Sequence, residues 1–194
     1  LSALASLRSD GIEGIILAGS RLPQARMMEA VFSFRAAVIV NRDCSGPRVG
    51  NVSIDYRKGA SDAVAWLASR GRRRIALLFG PRIATSARRR LSGYRDGLEL
   101  SGLAYDPSFV EGCVPNFEGG AAATRTLLAR APRIDAILAY NDLAAIGAMR
   151  AVEESGHGVP ADIAIMGTDD IPIAGLVAPS LSTVGSDIPL LGAN

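Results

Sequence analysis

Lysine, histidine, cysteine and aromatic residues are all scarce in this 194-residue chain. Lys58 is the only lysine and His157 the only histidine, so almost all of the positive charge is arginine. That bias, together with the many alanines, matches a GC-rich coding preference rather than a chemical role. Cys44 and Cys113 are the only cysteines, far apart and outside any CxxC spacing. Their placement argues against a disulfide framework and against a zinc site, and it fits a reducing compartment. No run of about 18 apolar residues occurs, so no membrane-spanning helix is expected. A net charge of +2 is too small to imply nucleic-acid binding by this segment. Nine arginines fall between Arg70 and Arg95, and solvated helix faces are the expected place for them.

Motifs that would carry enzymatic chemistry are missing as well. Neither GxxxxGK[ST] nor a GxGxxG after a first strand is present, and Lys58 in YRKGAS lacks the glycine framework of a phosphate loop. His157 lies in ESGHGVP, a turn just past a helix stop, with no nucleophile or metal ligand near it in sequence. An exposed loop histidine is expected. No catalytic residue, metal site or cofactor is therefore assigned. The amino end, LSALASLRSDG, starts inside a helical pattern without a preceding strand and does not read as a signal peptide. The carboxyl end, IPLLGAN, is equally abrupt, and the chain is expected to be an excerpt of a longer protein.

What is present is alternation. EGIILAG (13–19), AAVIV (36–40), IALLFG (75–80), FVEGCV (109–114), IDAILA (134–139) and IAIMG (163–167) are short apolar runs. Such runs suit strands covered on both faces of a parallel sheet. Helical patterns lie between them. GASDAVAWLASRG (59–71) places Ala60, Ala63, Val64 and Leu67 on one stripe and stops at Gly71. RLSGYRDGLELSG (90–102) aligns Leu91, Tyr94 and Leu98 and stops at Gly102. FEGGAAATRTLLARAP (117–132) is expected to end at Pro132, and DLAAIGAMRAVEESG (142–156) carries Leu143, Ile146 and Met149 and stops at Gly156. Strand and helix in this rhythm predict a doubly wound α/β fold. The polar connection 41–60 is about twice the usual length, and 178–187 is a second irregular stretch. Both are read as connections between two lobes.

In open parallel sheets, ligands bind beyond the carboxyl ends of the strands. Here those ends read Gly19-Ser20, Asn41-Arg42, Gly80-Pro81, Asn141-Asp142 and Thr168-Asp169. Asn141 or Asp142 also suits the cap of the helix that follows, and Asp169 suits the cap of a turn before Pro172. The pair Asp169-Asp170 leaves several roles open: acid catalyst, metal site, clamp for a neutral ligand, or local cap. A metal would need further carboxylates at other strand ends, and only Asp142 offers itself.

Several segments, in order, resemble the lactose/galactose-repressor family of bacterial transcription regulators. They are VNRD (40–43), DYRKGA (55–60), RGRRRIALLFG (70–80), RRLSGYRDGLELSGL (89–103), AYNDLAAIGAMRAVEESGHGVPADIAIMGTDDIP (139–172) and PSLSTV (179–184). The resemblance runs over essentially the whole chain. It implies a periplasmic-binding-protein-like effector module: two parallel-sheet α/β lobes joined by three crossovers, with a small molecule in the cleft. On that basis residues 1–50 are an incomplete amino-terminal lobe, 51–183 the carboxyl-terminal lobe, and 184–194 the return crossover. The family's ligand contacts carry over to Ser86, Arg90, Asn141 and Asp169, and less closely to Asn41 and Ser186. Asp169 then clamps a ligand hydroxyl pair, and Asp170 bonds locally to the backbone. Val114 stands where many relatives place an aromatic that stacks on the ligand. The resemblance further implies a cytoplasmic homodimer, not an enzyme, whose effector is a sugar, sugar derivative or nucleoside. Operator DNA would be held by a helix-turn-helix head not included in these residues, with the connections near 44–53 and 183–187 as hinges. A periplasmic sugar-binding protein of a transporter is the alternative with the same fold.

Overall fold

The stretch IALLF (75–79) has no polar residue, so a strand made from it needs cover on both faces. The computed structural model describes residues 2–20, 22–131 and 133–193 and places a strand there, the fourth in chain order, β4 (Ile75–Phe79). Ile75 and Leu77 point into one apolar cluster, and Ala76 and Leu78 into another. That is the two-residue period of a strand lying between two layers. β6 (Ala136–Ala139) repeats it, with Ala136 and Leu138 on one side and Ile137 and Ala139 on the other. β7 (Ala164–Thr168) does the same through Met166 and Ile165. With the edge strands β5 (Val110–Gly112) and β8 (Ser182–Val184), they form an all-parallel sheet in the order β5-β4-β6-β7-β8. Helices α3 (Tyr56–Ser69) and α4 (Thr85–Leu100) cover one face. Helices α5 (Phe117–Arg130) and α6 (Asp142–Glu154) cover the other, which makes this part doubly wound, as expected.

The helices pack in pairs through glycine. A Cβ added at Gly93 of α4 would lie 1.9 Å from the carbonyl oxygen of Arg57 in α3. On the opposite face, a Cβ at Gly147 of α6 would lie 2.0 Å from the carbonyl oxygen of Phe117 in α5. Neither helix pair can close to this distance around a side chain. The α3 stripe is buried as expected, and Gly71, Gly102 and Gly156 adopt positive φ just past their helices. Asp55 caps α3 by accepting from Lys58 N–H at 2.9 Å, so the helix begins three residues before the glycine at which the pattern was read. In α6 the expected stripe is wrong at Leu143, which is exposed. The buried face is Ala144, Ala145, Ala148, Met149 and Val152, because the close approach of α5 selects small residues. Pro132, the expected end of α5, lies outside the described residues.

A second compact unit comprises Leu1–Ile54 and Asp187–Asn194, against Asp55–Ser186 for the first. It contains α1 (Ser2–Ser9), β1 (Gly14–Ala18), α2 (Gln24–Phe32), β2 (Ala36–Val40), β3 (Val49–Val52) and α7 (Ile188–Ala193). The three strands are parallel in chain order. Met27 and Val31 of α2 cover one face through Ala37 and Ile39. β1 departs from the expectation of two-sided cover: Ile16 is 76% exposed, because α2 packs against the Ile15 and Leu17 side only. Strands β3 and β8 fall within the two stretches, 41–60 and 178–187, expected to be irregular connections. Both are short sheet edges with polar residues, VGNV and STV, and an edge strand does not require apolar residues on both faces.

Gly93→Ala should therefore lower stability by about 1–3 kcal/mol through overpacking. The melting temperature is expected to fall by several degrees in a thermal melt, while Gly175→Ala, whose added Cβ meets nothing within 4 Å, leaves it unchanged.

Candidate ligand-binding site

Counted from β4, the five-stranded sheet has the order 2-1-3-4-5, so the chain leaves β4 toward one side and β6 toward the other. In sheets of this order the ligand crevice lies where that reversal occurs, beyond the carboxyl ends of the strands that here are β4 and β6. Gly80 follows β4 and Tyr140 follows β6. A Cβ at Gly80 would lie 2.4 Å from the Tyr140 ring, so the ring lies directly over this backbone and only glycine admits it. Ser86, in the first turn of α4, shares a 2.9 Å hydrogen bond with the Tyr140 hydroxyl. Arg90 is one turn further along, on the same side of the helix. Its guanidinium carbon lies 4.7 Å from the Tyr140 ring centroid and 4.3 Å from that of Tyr56, the first residue of α3. Both distances are within the range of cation–π attraction.

Arg90 is 6% exposed, and its Nη2 donates to Asp169 Oδ1 at 3.2 Å. The Asp169 side chain is 48% exposed, so the pair is lopsided: a buried cation beside a carboxylate that still reaches solvent. Partial burial pushes the Asp169 carboxyl above the ordinary aspartate value. The Arg90 charge pulls it down, and the Asp142 carboxylate adds to the rise. Burial also pushes the Tyr56 phenol up, against the pull of Arg90.

Asp169 and Asp170 do not cap a helix. They have φ of 109° and 55°, two consecutive non-glycine residues at positive φ. Such conformations cost about 1–3 kcal/mol each and persist only where surrounding bonds impose them. Asp169 N–H donates to the Val184 carbonyl at 3.0 Å, and Asp170 N–H to Thr183 Oγ1 at 3.2 Å. Ile171 N–H donates to Asp142 Oδ2 at 2.9 Å. Asp170 is thus tied to a side chain through its own N–H, and its carboxylate, expected to bond locally to the backbone, makes no hydrogen bond among the described residues.

Of the six expected residues, Ser86, Arg90 and Asp169 form one contact chain through Tyr140. Asn141 sits at the same strand end, but its amide is engaged within the protein. Its Oδ1 accepts from Ala144 N–H at 3.0 Å as the cap of α6, and its Nδ2 donates to the Pro115 carbonyl at 3.1 Å. Asn41, in the other unit, has φ of 60° and accepts from Ile54 N–H at 2.9 Å, which pins the chain leaving β3. Ser186 is half-buried just beyond β8 and makes no side-chain hydrogen bond among the described residues. Val114 is 62% exposed. His157 is exposed in its turn, with Nδ1 3.0 Å from Ser155 Oγ.

Tyr56 and Tyr140 are not among the residues expected from the sequence. Both lie inside the segments that carry the family resemblance, in a chain with four tyrosines. Tyr140 directly follows an apolar strand at the crevice, and that position was the available signal. Tyr56 had none, because its ring meets Arg90 only after α3 and α4 have packed.

Residues 64–194 match the family model described as a periplasmic binding protein-like domain. The HTH-type transcriptional regulator CelR of Thermobifida fusca is 37% identical over 145 residues, which is 75% of this chain and 43% of CelR. The chain spans about half the length of the curated relatives it matches. Among solved structures, a sugar-binding transcriptional regulator of the LacI family from Escherichia coli, complexed with phosphate, superposes with a TM-score of 0.91. It is 28% identical, with coverage of 98% of this chain and 69% of that one. The CelR–cellobiose complex gives 0.88 at 32% identity, covering 98% and 59%. The chain belongs to the periplasmic-binding-protein-like family, in the form found in LacI-type transcriptional regulators.

Proposed function

We propose that this chain is the effector-binding and dimerising part of a LacI-type transcription regulator, and that its effector is a small polyhydroxylated molecule of the sugar or nucleoside class. A DNA-binding head elsewhere in the protein would read the bound state. The observation that carries the proposal is the grouping of Arg90, Asp169, Ser86, Tyr56 and Tyr140 at the sheet's crevice. An ionised carboxylate accepts protons from two adjacent hydroxyls, and a guanidinium donates in a rigid fork to ring or exocyclic oxygens. Asp169 reaches solvent and has oxygen capacity beyond its bond to Arg90. The flanking tyrosine rings provide the aromatic surface that Val114 lacks. The relatives whose names record sugar binding or a cellobiose complex support the sugar class. The relatives this chain matches are transcription regulators, which supports a role of binding without turnover. The effector regulates only through its differential affinity for two states of the protein.

A thermal-shift screen of pentoses, hexoses, sugar phosphates and nucleosides tests this directly. At least one compound class should raise the melting temperature, and Asp169→Ala should abolish that rise while leaving the circular dichroism spectrum unchanged. Loss of hydrogen bonds to a charged group should weaken binding by about 10- to 100-fold. Normal binding by Asp169→Ala would refute the assignment.

Acidification should act on binding and on stability in opposite senses. Protonated Asp169 no longer accepts two hydroxyl protons, so the ligand-induced shift should fade as pH falls, with a midpoint above the ordinary aspartate value. A carboxyl raised by folding binds its proton more tightly in the folded state than in the unfolded chain. Its contribution to ligand-free stability is therefore fully present below the ordinary aspartate value and is lost as pH rises through the raised one. Titration of wild type against Asp169→Asn by calorimetry should show both effects in the wild type only.

A further inference from the structure

We infer that Asp142 is the positioning residue of this site: its buried carboxylate holds the left-handed Asp169-Asp170 turn in the shape that brings Asp169 to Arg90. The functional side of this inference rests on the proposed reading of Asp169, but the geometry does not. Asp142 is 1% exposed and makes no ion pair among the described residues. An uncompensated buried carboxylate is costly, so every lone pair with a donor matters. Each oxygen has one. Oδ2 accepts from Ile171 N–H at 2.9 Å, and Oδ1 accepts from the Thr183 hydroxyl at 2.6 Å. With its proton given to Asp142, the Thr183 oxygen is free to accept from Asp170 N–H at 3.2 Å. Of the three consecutive N–H groups at 169, 170 and 171, two are therefore held by Asp142, one directly and one through Thr183. The remaining one bonds to Val184, the residue after Thr183.

The carboxylate itself has no freedom to swing. A Cβ at Gly167 of β7 would lie 2.1 Å from Asp142 Oδ1, so the oxygen is lodged against the strand that leads into the turn. Asp142 also opens α6, where the helix dipole stabilises a negative charge and Asn141 already serves as the cap. Capping therefore does not account for Asp142. An amide in its place has one acceptor atom where two donors converge, and its nitrogen would face one of those donors. The charged groups around Asp169 are Arg90 and Asp142, with the Tyr56 phenol beside them. Asp142 thus acts on Asp169 through the backbone and through its charge.

The test uses isotopically labelled Asp142→Asn, Thr183→Val and Thr183→Ser without any ligand, so its outcome is independent of whether Asp169 binds an effector. In Asp142→Asn, amide exchange at Asp170 and Ile171 should accelerate by about tenfold or more relative to Ile165 and Met166 of β7. The Asp169 carboxyl, followed by its carbon resonance, should titrate closer to the ordinary aspartate value as the side chain moves into solvent. Thr183→Val should loosen Asp170 in the same way, and Thr183→Ser should behave as wild type. Exchange that is unchanged at 169–171, or that rises uniformly through β6, β7 and α6, would overturn the inference and leave Asp142 a general stability residue. If Asp142→Asn does not fold, the Thr183 pair decides, because it changes the same link while the Asp142 side chain stays in place with its Ile171 N–H bond.

Discussion

A guanidinium withdrawn almost completely from water is an expensive object, and Arg90 is held by two tyrosine faces and one carboxylate oxygen. Most of what surrounds it follows from that constraint. Tyr140 can lie beside Arg90 only because Gly80 leaves room for its ring, and Ser86 fixes the ring by its hydroxyl. Asp169 can reach Arg90 only through a turn whose backbone is unfavourable for aspartate. The cost of burying one charge is offset by ring contacts and hydrogen bonding from separate connections of the sheet, and the strained turn adds to that cost. A small ligand entering here meets groups that are already oriented, which limits the ordering entropy lost on binding.

The precision of the site depends on the rigidity of α4. Ser86, Arg90 and Tyr94 are spaced four apart and lie on one side of that helix. Tyr94 is fully buried, and its hydroxyl donates to the Ile75 carbonyl at 2.7 Å, at the first residue of β4. Below it, Gly93 and Gly97 allow α4 to pack against the backbone of α3. Tyr56 begins α3, so the close helix pair also sets the distance between the Tyr56 ring and Arg90. Core packing and site geometry are here consequences of the same contact.

How much of this was readable beforehand differs by element. The interior strands β4, β6 and β7 were legible because cover on both faces leaves a continuous apolar run. The edge strands β3 and β8 were not, since an edge tolerates Gly50, Asn51 or Ser182 and resembles a loop. Helix stops at Gly71, Gly102 and Gly156 were legible because positive φ restricts the residue type. Leu143 was misplaced because hydrophobicity ranks leucine above alanine, whereas the α5–α6 contact admits only small side chains.

Residue types and their spacing along the chain were enough to establish the α/β alternation, and the resemblance of ordered segments to a known family, rather than spacing, singled out Ser86, Arg90 and Asp169. Those properties depend on near neighbours and on patterns of fixed length. Folding alone established which groups meet. Arg90 and Asp169 are 79 residues apart, and the turn that joins them is held by partners 13 and 29 residues away. The engagement of Asn141 as a cap, the two tyrosine faces on Arg90 and the buried carboxylate of Asp142 likewise arise only once separate βα units share one sheet. No local pattern records them, because hydrogen bonds and ring contacts depend on distance in space rather than on order in the chain.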